Sequence, residues 1–135
     1  MGFNLVYTTS SSPPVLTDKA DIAAHEQVVQ GKQEPLSNSG SVCRIVDFAP
    51  GYTCVMYRTK SLDYGVVLEG EGPEMVLDGG EVQKLSRSDV CVQRATMHRW
   101  RNTSATGWAR MLFVSLGDAK IVVGGKELGD EGYVQ

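Results

Sequence analysis

Gly51-Tyr-Thr-Cys-Val-Met-Tyr57-Arg-Thr59-Lys-Ser-Leu-Asp63-Tyr-Gly-Val-Val-Leu-Glu-Gly70 reads as two strands bracketed by glycines. Thr53–Thr59 and Asp63–Glu69 are rich in β-branched and aromatic residues, and Lys60-Ser-Leu62 separates them. Residues i and i+2 of a strand share a face, so Tyr57 and Thr59 point the same way. Asp63 opens the next strand, where its side chain can lie opposite theirs. A second stretch, Ser88-Asp-Val-Cys-Val-Gln-Arg-Ala-Thr-Met-His98-Arg-Trp100-Arg-Asn102, places His98 and Trp100 on one face by the same alternation.

Outward from these stretches the same pattern continues. Residues 3–8 read as a first strand, and Ser41–Phe48 alternates until Ala49-Pro-Gly51 ends it. Glu74–Leu77, Val82–Leu85, Asp89–Gln93, His98–Arg101 and Trp108–Leu116 follow, and Lys120–Val123 is a candidate closing strand. Asp78-Gly79-Gly80 carries the chemistry of a hairpin turn, because those residues tolerate positive φ. Short strands at close spacing predict an all-β closed barrel or sandwich. Only Asp18–Gln30 has helical character, with Ile22, His25 and Val29 on one face and Val28 off it. Lys32–Gly40 reads as a loop. The expected organisation is an N-terminal extension over 1–40, a barrel over 41–124 and a tail over 125–135.

Composition narrows the function classes. The chain has 135 residues, enough for one core that buries about two-thirds of the unfolded surface. A net charge of −3, with both signs interspersed, gives no basic stripe and argues against nucleic-acid binding. No apolar run approaches membrane-spanning length. Cys43, Cys54 and Cys91 lack a C-x-x-C pair and sit in apolar runs, as buried free thiols do. The opening Met1-Gly-Phe-Asn-Leu-Val-Tyr7 has no secretory apolar core, so a reducing, cytoplasmic location is expected.

The two stretches together resemble the paired motifs of the cupin family. The first motif of that family is a glycine, then His-x-His, then a glutamate, then a closing glycine, at fixed spacings. Five residues separate Gly51 from Tyr57, three separate Thr59 from Asp63, and six separate Asp63 from Gly70, which satisfies the spacing at every step. The second motif ends in a histidine followed, after three residues, by an asparagine, as His98 and Asn102 do. It departs at its start, where Ser88 stands for a glycine and Gln93-Arg94-Ala95 replaces Pro-x-Gly. The wording is similar to small single-domain cupins of fungi associated with secondary metabolism. The resemblance implies a double-stranded β-helix, or jelly-roll, barrel and a homodimer.

In the family, three histidines and a glutamate hold a transition metal; here those positions read Tyr57, Thr59, Asp63 and His98. His98 and Asp63 are good ligands for iron, zinc or manganese, Tyr57 is an occasional one and Thr59 a poor one. His25 could complete a two-His, one-carboxylate set only if the N-terminal segment folded over the barrel mouth. An acid/base site is therefore favoured over a metal site, with no cofactor. His98 would transfer the proton, Asp63 would be its partner or the complementary acid, and Tyr57 would donate to developing negative charge. Thr59, Trp100, Met97 and Arg44 are the candidate substrate contacts. Arg58 and Arg94 are considered for a substrate carboxylate, although alternation sets Arg58 on the face opposite Tyr57.

Each residue also has a plainer use. Tyr57 can fill the core with its hydroxyl on Asp63, Thr59 can simply favour the strand, and His98 can be structural. The reading that follows is a cofactor-independent lyase or isomerase acting on a small, largely apolar molecule such as a polyketide- or terpenoid-like intermediate. Its rivals are a metal-dependent oxygenase and a non-catalytic binding cupin.

Overall fold

The computed structural model describes residues 1–31, 40–117 and 122–127. Their strands are β1 (Gly2–Thr9), β2 (Ser41–Phe48), β3 (Ser61–Glu69), β4 (Pro73–Leu77), β5 (Val82–Lys84), β6 (Val90–Arg94), β7 (His98–Asn102), β8 (Ala109–Gly117), β9 (Val122–Val123) and β10 (Lys126–Glu127). One helix, α1 (Ala20–Val29), follows a single 3₁₀ turn over Thr17–Lys19. A five-stranded sheet in the order β1-β2-β8-β3-β6 faces a three-stranded sheet in the order β5-β4-β7, and all ladders are antiparallel. Sequence neighbours are mostly not sheet neighbours, which is the interleaving of a jelly roll.

Register divides the interior into rows. Phe48 lies opposite Ala109, and Val46, Met111 and Val67 form the next row across β2, β8 and β3. These residues are 0–3% exposed and, with Leu85 and Trp100, make up the apolar core at one end of the sandwich. The next row, Arg44–Phe113–Gly65–Cys91, is mixed. The row after it, Val42–Ser115–Asp63–Gln93, is mostly polar. Hydrophobic burial therefore holds one end of the barrel together, and the other end is left to make a site.

The glycines that bracket the first motif are needed for their backbone. Gly51 has φ of +72° and Gly70 of +104°, a region that side-chain-bearing residues enter at a cost. At Gly70 a Cβ would also come within 2.8 Å of the Ala109 Cα, so a methyl group cannot be housed without backbone movement. The Asp78-Gly79-Gly80 turn joins β4 to β5, with Val76 opposite Val82.

Three expectations change. Thr53–Thr59 is not a laddered strand. It touches β7 only at two isolated bridges, Thr53 with Arg101 and Tyr57 with His98. Between those bridges the connector advances four residues while β7 advances three, so one extra residue is bulged out of register. Val55, 55% exposed, lies within that bulged stretch. Val122–Val123 pairs with Lys126–Glu127 in a separate ribbon and does not join the barrel sheets, while Lys120 lies outside the described residues. The helix turns Asp21, His25 and Val28 toward β1, leaving Ile22 and Val29 exposed, because Tyr7 of β1 bonds the Asp21 carboxylate and packs on His25. Of the loop expected over Lys32–Gly40, only Gly40 is among the described residues.

Candidate functional site

A cavity of about 590 Å³ opens between the two sheets at the polar end. Three structural pieces wall it. The five-stranded sheet contributes Arg44, Asp63, Gln93 and Ser115, the three-stranded sheet contributes His98 and Trp100, and the irregular connector contributes Tyr57 and Thr59. The four positions singled out by motif spacing thus share one cavity. Arg44 and Trp100 line it as well.

Met97, Arg58 and Arg94 do not line the cavity. Met97 directly precedes His98, and adjacent residues of a strand face opposite ways, so the register that turns His98 inward turns Met97 away. The same alternation separates Arg94 from Gln93 along β6.

His98 is 2% exposed. Its Nδ1 lies 2.8 Å from the Thr96 carbonyl oxygen, which can only accept, so Nδ1 carries the proton. In the neutral ring Nε2 is then the unprotonated nitrogen. Burial, the largest influence, pulls the imidazole pKa below its usual value near 6.5, while the Thr96 carbonyl and the Asp63 charge push weakly the other way. The Tyr57 ring packs on it at 4.7 Å between centroids, tilted by 47°.

Asp63 is held by a short hydroxyl relay. Ser61 donates to Asp63 Oδ1 at 2.7 Å, and the Ser61 and Thr59 hydroxyls are 3.0 Å apart. On the apolar side, Trp100 meets Phe113 edge-on at 5.4 Å. Cys54 and Cys91 also line the cavity, and burial holds both thiols above their ordinary pKa.

Gln93, Ser115 and Ser61 were not among the site residues expected from the sequence. Gln93 was visible in principle, since alternation along β6 sets Cys91 and Gln93 on one face. Ser115 shows no signal short of the β3–β8 register.

The donor set does not fit the family's metal. Among the described residues no three His, Cys, Asp or Glu side chains come together as a ligand group. His25 does not supply the missing ligand. It accepts the Thr8 backbone N–H on Nδ1 at 3.2 Å and packs on Tyr7 at 4.5 Å, and it is not among the cavity-lining residues.

No family model matches the chain. It is 48% identical over 127 residues to the phomopsin biosynthesis cluster protein D of Diaporthe leptostromiformis, covering 94% of this chain and 67% of that protein. It is 41% identical to the cupin-domain-containing oxidoreductase fogC of Aspergillus ruber, covering 97% of this chain and 63% of that protein. The chain therefore spans about two-thirds of the length of these relatives. Among solved structures, a cupin superfamily protein of Desulfitobacterium hafniense superposes with a TM-score of 0.53 at 18% identity, covering 61% of this chain and 72% of that one. The motif spacing, the interleaved sheets and these relatives agree: the chain belongs to the cupin superfamily, among the small cupin-domain proteins tied to fungal biosynthesis clusters.

Proposed function

We propose that the cavity carries out cofactor-independent acid–base chemistry, a dehydration, tautomerisation or cyclisation, on a small organic intermediate. The carrying observation is the state of His98: buried in the cavity, neutral, with its proton fixed on Nδ1 by the Thr96 carbonyl. A neutral imidazole with a free Nε2 is a general base at physiological pH. In this reading Nε2 takes a proton from a carbon or hydroxyl of the substrate. The Tyr57 phenol donates to the oxygen on which negative charge develops, and such a donor is worth about 3 kcal/mol when well aimed. Asp63, set by Ser61, stabilises the imidazolium that forms.

A redox role is the second reading, favoured by the oxidoreductase name of the Aspergillus ruber relative. The two are separated by complementing a strain of the source organism that lacks the gene, using either the natural protein or His98→Asn. The asparagine keeps an amide donor for the Thr96 carbonyl and removes the base. The expected result is an intermediate that accumulates with His98→Asn and either has the product's mass or exceeds it by one water. A difference of hydrogens or of oxygen would instead assign redox chemistry, and full product formation by His98→Asn would remove His98 from the reaction.

A further inference from the structure

The five-stranded sheet gives the cavity Arg44, Asp63, Gln93 and Ser115, and two of these carry a buried polar atom without a hydrogen-bond partner. Gln93 is 4% exposed, yet its Oε1 is buried with no hydrogen-bond partner among the described residues. Arg44 Nε is in the same condition, and the guanidinium lies over the Phe3 ring at 5.5 Å. Both residues line the cavity. Asp63, between Ser115 and Gln93 in register, already has its Ser61 hydroxyl.

Buried polar atoms in folded proteins nearly always have partners, and Arg44 Nε and Gln93 Oε1 lack one on side chains that line the cavity, where a ligand can engage the rest of each group. A primary amide offers an acceptor and donors whichever way it is turned, and it matches a hydroxyl or N–H. A guanidinium matches a carboxylate, and it is weakly hydrated enough to do so in a half-buried site. Arg44 is the one Arg or Lys side chain among the described residues of the lining, where Met1 brings its amino group and Asp63 its carboxylate. That balance suits a singly charged anion and works against a phosphate dianion. The rest of the ligand would meet the Trp100–Phe113 pair.

We propose that the substrate is a small carboxylate bearing a neighbouring hydroxyl or N–H, with its anion on Arg44, its donor on Gln93 and its hydrocarbon part against Trp100 and Phe113. Both anchors belong to the five-stranded sheet, so the anchored ligand presents its opposite side to His98 on the other sheet. The inference rests on the cavity being the substrate site and deepens that reading.

Three probes of nearly one shape test it: phenylacetate, phenylacetamide and mandelate, titrated calorimetrically into the full chain. Phenylacetate is expected to bind about tenfold more tightly than the amide, and mandelate several-fold more tightly than phenylacetate. Arg44→Gln should erase the preference for acid over amide, and Arg44→Lys should retain part of it. Gln93→Leu should erase the gain from the hydroxyl and keep the acid preference. Equal binding of acid and amide by the natural protein overturns the proposal without any variant, as does a failure of all three to bind at millimolar concentration. Mandelate binding no better than phenylacetate overturns the Gln93 assignment and with it the ligand class. The base role of His98 is read separately: His98→Asn should bind phenylacetate like the natural protein while losing conversion. Conversion that survives in His98→Asn would sink the base and leave the ligand class standing.

Discussion

His98 owes its chemistry to two neighbours it does not resemble. The Thr96 carbonyl chooses the tautomer, and burial disfavours the charged ring. Because the folded pKa is lowered, the folded state binds fewer protons than the unfolded state between that value and the ordinary one near 6.5. The stability contributed by the neutral ring is thus complete above about 6.5 and is lost as pH falls through the lowered folded value. Thermal unfolding followed from about pH 7 to pH 5 should show this loss, at no more than about 1.4 kcal/mol per pH unit. The His98→Asn protein should show a flatter dependence. An unchanged slope in that variant would mean that another group sets the acid limit. His98, Asp63, Tyr57 and Thr59 could be assembled from sequence because motif spacing encodes which strand positions face inward together. Ser115 could not, since a polar residue on an alternating strand looks the same whether it faces solvent or a cavity.

Strand β7 carries His98 at one end and Asn102 at the other, and it is pinned by the second of these. Asn102 is 2% exposed; its Nδ2 reaches the carbonyls of Phe48 and Ala49 at 3.2 Å and of Gly107 at 2.9 Å, and its Oδ1 accepts the Ser104 N–H. One side chain thereby ties the end of β2 and the turn before β8 to β7. Asn102→Ala leaves those carbonyls without a donor and should lower stability by roughly 2–4 kcal/mol in urea denaturation. Asn102→Asp should cost more, because a carboxylate would face three carbonyl oxygens. A loss under about 1 kcal/mol for the alanine variant would show that water replaces the amide readily. Most strands were legible because alternation and glycine-rich turns are local signals. The connector before β3 was misread as a strand because its composition favours one, and a single extra residue against β7 becomes visible only once the two are paired. The helix face was equally hidden, since Tyr7 decides it from a strand distant in sequence.

Across the whole molecule, apolar rows occupy one end of the sandwich and the cavity the other, and the three free thiols report on that division. Cys54 and Cys91 line the cavity, whereas Cys43 pairs with Val114 in a row that faces outward. Burial raises the pKa of all three, so alkylation near neutral pH should be slow throughout. Saturating mandelate should slow iodoacetamide labelling of Cys54 and Cys91 several-fold, on the order expected for steric cover, with Cys43 unaffected. Peptide mass spectrometry reads the three sites apart. Equal protection of Cys43 would point to general stiffening in place of cavity occupation.

The connector has one more consequence. Tyr52, Thr53, Cys54, Val55, Tyr57 and Thr59 all line the cavity, yet the segment belongs to neither sheet and meets β7 at two bridges only. Six of the nineteen residues that line the cavity can therefore be rewritten outside the sheet rows that make the barrel fold. A lineage built on this plan is free to diverge in what it accepts while its architecture is inherited intact, and substrate preference should drift fastest along those few residues.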